Sequence, residues 1–416
     1  MKIWLINHSF RPETNAPANR FLGLATAWQA AEQDVRMLAG TPHRPHGQIF
    51  QDYQAFDYSQ PDEVAGITIW RHKEKVGQRG GAMAELFKQL SFAFQILRRN
   101  MNRPEAERPD VVIASSPDFF HVISGWLLAR RYGARFVFEV RDLWPEIFRD
   151  MGVVKSGAAL SVMGALARFM YRRADMVVTV TKGYAEQLQE KGVDPQKITI
   201  IPNAVNDGDF DALDTARENR AGQSLRSELK INPMAHVVLY IGNHGKAQAL
   251  GQIIDAARTL MDRTDIQFLL VGDGSDKPRL ADLARGLPNV MFLDNQPKDK
   301  VWAFYDMCTL SVSCLRDIEA FNTTIPSKIY EIMAAQKPIV AALKGEAADI
   351  VAESGGGVVT PREAPEKLAT AIAELVDDPE RMKRMAAAGR AWADQNRRYS
   401  NLAPRYLKAL EALERS

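Results

Sequence analysis

The chain has 416 residues, of which 46% are hydrophobic and 25% charged, enough for two or three domains that each bury a core. A net charge of +2 gives no electrostatic case for a nucleic-acid partner. No uninterrupted apolar run approaches the roughly 18 residues that a membrane span requires.

In chain order, the first apolar run, "KIWLIN" from Lys2, is broken at once by "HSFRPE". It predicts a strand and not a signal-peptide core, so a cytoplasmic location is expected. "DVRMLAG", "GITIWRH", "DVVIASS", "RFVFEV", "MVVTV" and "ITIIPN" follow as further strands, most of them apolar on both faces, as buried parallel strands are. His43 and His46 lie in the Pro-rich stretch "TPHRPHG" with no Cys or acid nearby in sequence, and read as loop residues. Between Arg79 and Arg103, Leu86, Phe87, Leu90, Phe94 and Leu97 recur at helical spacing ahead of Arg98, Arg99 and Arg103. A crossover helix packed on a sheet and an amphipathic helix facing an anionic membrane both fit, and the two can coexist.

A turn-rich stretch, Ile201–Phe210, marks a hinge. Beyond it come "VVLYIG", "IQFLLVGDG", "VMFLD", "TLSVSCL", "PIVAAL" and "GGVVT", alternating with helical patterns. The fold class is therefore α/β, with two Rossmann-like domains facing across a cleft: residues 1–205, residues 206–395, and a closing helix within 396–416 that returns to the first domain. That helix is expected to start after Pro404, with Tyr406, Leu407, Leu410 and Leu413 on one stripe. Cys308 and Cys314 share one apolar run; in a strand they would be roughly 20 Å apart, so they read as unbridged core thiols. "VGDGS" lacks the third glycine of a dinucleotide fingerprint, and no Walker sequence is present.

The corner "IPSKIYE" concentrates polar chemistry. Ser327, Lys328 and Glu331 stand where a strand end leads into a helix, a place suited to a phosphate and to hydroxyl groups beside it.

The ordered motifs "EVRDLWPE", "ADMVVTVTKGYAEQL", "ITIIPNAVN", "VVLYIGNHGKAQAL", "FLLVGDGSDKPRL" and "IPSKIYEIMAAQKPIV" resemble glycosyltransferase family 4, the retaining enzymes of the GT-B fold. "EVRDLWPE" and "PSKIYE" are similar to its bacterial branch that transfers amino sugars in surface-polysaccharide assembly. The resemblance implies a UDP-sugar donor on the second domain. It implies a polyprenyl-diphosphate-linked glycan acceptor on the first, for O-antigen, capsule or exopolysaccharide. Glu331 matches the second glutamate of the family's Glu-x7-Glu motif and would hold the ribose. Lys328 and Lys246 would face the diphosphate, with Ser327 beside them and Gly242, Asn243 and Gly245 bringing backbone close. Asn295 lies where the family grips the base.

Two positions depart from the family. Thr323 stands where the first glutamate belongs, and Glu319 lies four residues too early; either could serve the donor sugar. Arg141 replaces a histidine, which leaves Asp142 as the acceptor-side polar group, with Arg141 expected to hold its pKa low. Asn15 and Arg20, in the loop after the first strand, are candidates for acceptor contact. No Asp-x-Asp pair is evident near these donor-side elements, so no catalytic metal is expected, and no cofactor beyond the donor is implied. The leaving diphosphate itself would take the acceptor proton. A sugar-nucleotide epimerase of the same fold and a non-catalytic membrane-associated scaffold are the alternatives.

Overall fold

The computed structural model describes residues 1–43, 47–74, 82–146, 149 and 156–414. The chain divides into two compact units, Met1–Asn206 with Tyr399–Ser416, and Asp207–Arg398.

The first unit is built on β1 (Lys2–Ile6), β2 (Asp34–Gly40), β3 (Asp62–Val64), β4 (Ile67–His72), β5 (Val111–Ser115), β6 (Arg135–Val140), β7 (Met176–Thr179) and β8 (Ile198–Ile200). Its crossover helices are α1 (Ala16–Ala30), α2 (Ala82–Asn100), α3 (Phe120–Tyr132), α4 (Gly157–Arg173) and α5 (Lys182–Glu190). The strand order is β3-β4-β2-β1-β5-β6-β7-β8, parallel except for the β3–β4 pair. The chain starts in mid-sheet, with β2 and β4 on one side of β1 and β5 onward on the other, so the strand order reverses between β1 and β5. Ligands of such sheets bind outside the carboxyl ends at that point. Ile3, Trp4, Leu5 and Ile6 are all fully buried because helices cover both faces. The strand β3, Asp-Glu-Val, carries no apolar alternation and was not legible as a strand; it pairs antiparallel at the sheet edge.

The second unit holds α6 (Asp207–Glu218), α7 (Ala221–Glu228), β9 (His236–Ile241), α8 (Gly251–Thr259), β10 (Ile266–Val271), α9 (Lys277–Leu283), β11 (Val290–Leu293), α10 (Lys298–Met307) and β12 (Leu310–Cys314). It continues with α11 (Lys328–Ala334), β13 (Ile339–Ala342), α12 (Glu346–Glu353), β14 (Gly357–Thr360), α13 (Pro365–Val376) and α14 (Pro379–Asn396). All six strands are parallel in the order β11-β10-β9-β12-β13-β14, which puts the reversal between β9 and β12. Cys308 closes α10 and Cys314 ends β12; both are buried, free thiols.

The last helix, α15 (Tyr399–Glu414), starts five residues before Pro404 and not after it, so the proline lies inside it. There the proline costs one early backbone bond, which packing offsets. Trp28 Nε1 donates to the Ala403 carbonyl at 3.0 Å, and the Trp28 and Tyr406 rings meet edge-on at 5.1 Å, seating α15 on α1. Among the described residues no helix is long and apolar enough to cross a membrane.

Candidate active site

In the second unit, the loops that follow β9 and β12 lie at the strand-order reversal, and α11 leaves the second of them. Lys328 opens α11. Its ammonium donates to the Ile241 carbonyl at the end of β9 and stands 5.6 Å from the Tyr240 ring centre. Gly242, with φ 148°, makes that approach feasible: a Cβ there would overlap the Lys328 ammonium. Burial lowers the Lys328 pKa, against the opposing pull of Glu331. Glu331 follows one turn later, and the Tyr305 hydroxyl donates to its Oε2 at 3.5 Å. Ser327 has helical backbone angles and makes no side-chain cap. With only seven residues in α11, the anion-holding capacity rests on the Lys328 charge more than on the helix dipole.

Lys246 is placed differently. It is exposed and lines a cavity of about 590 Å³ with Gln252, Asp255, Asp276, Arg279 and Arg316, a lining that includes neither Lys328 nor Glu331. Asn243, also exposed, receives the Tyr240 hydroxyl on its carbonyl at 2.9 Å and bonds Gln248 at 3.4 Å through its side chain. A Cβ on Gly245 would press on Asn243 and Gln248, so glycine is what lets this loop close. Glu319 and Thr323 bracket one turn of 3-10 helix, Glu319–Asn322; Glu319 is exposed, and Thr323 bonds the Ala320 carbonyl at 3.5 Å. Asn295 is exposed in the loop after β11.

Three residues that the sequence reading did not single out lie in or against these loops. Arg362 donates to the carbonyls of Ile318, Phe321 and Lys344 and to the Asn322 side chain, clamping the loop after β12. Lys277 bonds the carbonyls of Gly272 and Leu293 and pairs with Asp294 at 2.6 Å. His244 is fully buried, and burial, with Lys277 nearby, lowers its pKa to about 4.

In the first unit, α1 begins inside the loop expected after β1. Asn15 caps it, accepting from the Ala18 amide at 3.1 Å while its amide group donates to Ser9. Arg20 differs from expectation. It is fully buried and forks onto Glu139 at 3.1 and 3.0 Å. Its other bonds go to the carbonyls of Ile201 and Pro202 and to the Asn203 side chain. Every guanidinium nitrogen donates inside the protein, so Arg20 joins α1 to β6 and the stretch after β8 and offers nothing to an acceptor.

At the end of β6, the Ser116 hydroxyl accepts from the amides of Arg141 at 3.0 Å and Asp142 at 3.4 Å. Burial raises the Asp142 carboxyl to about 6; Arg141 pulls it down, and Asp118 pushes it up. The expectation that Arg141 holds Asp142 low is therefore overturned, because desolvation outweighs the neighbouring cation. Burial also lowers the Arg141 pKa, with Asp142 and Glu139 opposing.

Across the β1–β5 reversal lies a cluster that sequence reasoning missed. His8 Nδ1 lies 3.0 Å from Asp118 Oδ2 and its Nε2 bonds Glu74. Burial lowers the His8 pKa, but the two carboxylates outweigh it and raise it to about 9. His43 stands beside them, its ring centre 5.7 Å from that of His8. It had read as a loop residue because its acidic neighbour comes from another strand end; His46 lies outside the described residues.

The expected helix near residue 90 has two apolar faces. Phe92, Ala93 and Ile96 are buried in the core, whereas Phe87, Leu90 and Phe94 are 64%, 41% and 62% exposed. Arg98 is exposed, Arg99 bonds the Tyr58 carbonyl, and Arg103 lies over the Trp70 ring at 3.8 Å. The Arg79–Gly81 start of that segment lies outside the described residues.

Residues 15–204 match the family profile described as a glycosyl transferase 4-like domain, and residues 223–392 the one described as glycosyl transferases group 1. WcaI of Escherichia coli strain K12, described as a colanic acid biosynthesis glycosyl transferase, is 29% identical over 80% of this chain and 81% of its own. WbjE of Pseudomonas aeruginosa, described as a glycosyltransferase, is 26% identical over 74% of each chain. In fold, the chain is similar to HepE of Anabaena, solved in complex with UDP and glucose, with a TM-score of 0.71 at 16% identity over 99% of this chain and 100% of that one.

Proposed function

Since the chain belongs to the GT-B glycosyltransferases, with a 4-like domain ahead of a group 1 domain, we propose that it is a retaining, family 4 enzyme of surface-polysaccharide assembly. In this reading it moves an N-acetylated amino sugar from a UDP-sugar to a polyprenyl-diphosphate-linked glycan of O-antigen, capsule or exopolysaccharide. The observation that carries it is the Lys328 ammonium, preorganised beside Gly242 and one turn ahead of Glu331 at the β9–β12 reversal. The naming of WcaI for colanic acid biosynthesis, and of UDP and glucose in the HepE complex, supports the substrate class.

Glu331 would accept hydrogen bonds from the two vicinal ribose hydroxyls, which a single carboxylate can do. As the sugar leaves, negative charge grows on the diphosphate. A half-buried, fixed cation then contributes more than a solvated one, because it needs no reorganisation. Lys328 holds that position, and the departing phosphate oxygen takes the acceptor proton. Lys246 would approach the donor from its own loop, with Asn243 and Asn295 beside it. Either Glu319 or Thr323 would reach the donor sugar. Arg141, Asp142 and the Asn15 end of α1 form the acceptor side. The donor site works through side-chain and backbone charge, with no metal at the phosphates.

Incubating the purified chain with a panel of nucleotide sugars and polyprenyl-diphosphate-linked glycans, read by mass spectrometry, tests this assignment. One sugar should be added to the lipid. An isomerised donor with no adduct would favour the epimerase, and loss of donor binding the scaffold.

The exposed Phe87, Leu90 and Phe94, with Arg98 a turn away, would rest on the anionic cytoplasmic membrane face, where the lipid-linked acceptor resides. Sedimentation with anionic vesicles should be strong at low salt and fall as salt rises. Protein that ignores such vesicles at low salt would leave α2 as a core helix alone.

A further inference from the structure

His8, His43 and Glu74 follow β1, β2 and β4, three strand ends that are neighbours in the sheet. One ligand atom from each lies within 4.8 Å of the others, and all three side chains are buried. Histidines that bind metals hold their other ring nitrogen on a carboxylate or carbonyl, which fixes the tautomer and aims the ligating nitrogen. Both histidines here are held that way. His8 Nδ1 bonds Asp118 at 3.0 Å, and His43 Nδ1 bonds the Thr41 carbonyl at 2.7 Å.

The other ring nitrogens have different partners. His8 Nε2 meets Glu74 Oε2, and His43 Nε2 receives the Lys88 ammonium at 3.2 Å. Among the described residues Glu74 Oε1 is buried without a hydrogen-bond partner, and only a glycine at 40 leaves room for it, since a Cβ there would overlap that oxygen. A buried carboxylate oxygen with no donor is costly, and a cation is the partner that would satisfy it.

We propose that His8, His43 and Glu74 bind one divalent cation of the zinc class. Asp118 and Thr41 act as orienting partners, and one coordination position is left open beside Lys88. Two imidazoles and a carboxylate suit borderline divalent transition metals, and three protein ligands leave a position for water or an oxygen of a bound molecule. Uptake sends the proton between His8 and Glu74 to solvent and displaces the Lys88 ammonium from His43, so the dication takes over their charge. The site belongs to the first unit and does not depend on the donor chemistry proposed above.

The test uses the tag-free full chain, stripped with a chelator and titrated with Zn²⁺ by calorimetry and with Co²⁺ by visible absorption. One equivalent should bind, and Co²⁺ should show the intense visible bands of a four-coordinate nitrogen and oxygen site. His43→Ala and Glu74→Gln should abolish saturable binding, and Asp118→Asn should weaken it by about 10–100-fold. Circular dichroism checks that each variant folds, and the Co²⁺ spectrum of the parent chain reports the ligand set with no substitution at all. The absence of saturable uptake, a six-coordinate aqua-like Co²⁺ spectrum, or unchanged affinity in folded His43→Ala would each overturn the proposal.

Discussion

Replacing Lys328 with Ala should lower kcat by about 100- to 1,000-fold while leaving the donor KM little changed, the pattern of a contact that strengthens as charge develops in the transition state. The ammonium sits half-buried against the Ile241 carbonyl and Gly242. Glu331→Ala should behave differently. Its carboxylate would serve donor binding, and its loss should weaken UDP binding by about 1.5–3 kcal/mol, the value of hydrogen bonds to a charged group. Steady-state kinetics and calorimetry with UDP separate the two effects. Parent-like turnover in Lys328→Ala together with parent-like UDP binding in Glu331→Ala would place the donor elsewhere.

The second large effect is on stability. Arg20→Ala should destabilise the first unit by about 3–5 kcal/mol, because it leaves the Glu139 carboxylate buried without its ion-pair partner. The carbonyls of Ile201 and Pro202 lose a donor at the same time. Urea unfolding followed by circular dichroism should show an early transition for one unit while the other keeps its midpoint. If Arg20 instead contacted the acceptor, the variant would fold like the parent and raise only the acceptor KM.

The contrast between these two residues shows what the sequence makes legible. Strand runs such as "KIWLIN" and "VVLYIG" could be read directly, since buried parallel strands are apolar on both faces. Lys328 and Glu331 could be placed at a strand end because they stand three positions apart, so one helical turn relates them whatever surrounds it. Arg20 could not be judged, because its partner Glu139 lies 119 residues away and only the β1–β5–β6 neighbourhood brings them together. His43 lies in a loop, as read, but its buried neighbours Glu74 and His8 were not legible for the same reason: they reach it through sheet order, not through spacing. Arg362, 40 residues or more beyond the loop it clamps, left no local signal.

Asp142 raises the sharpest question about mechanism. Its carboxyl at about 6 would suit a general base, the group that an inverting enzyme needs and a retaining one does not. Proton NMR of the purified glycosylated product, reading the anomeric coupling, decides between them. The account predicts an α-linkage from an α-linked UDP-sugar, and the same linkage, formed more slowly, from Asp142→Asn. A β-linkage from an α-linked donor would contradict retention and, with it, the part given to Lys328 and the leaving diphosphate.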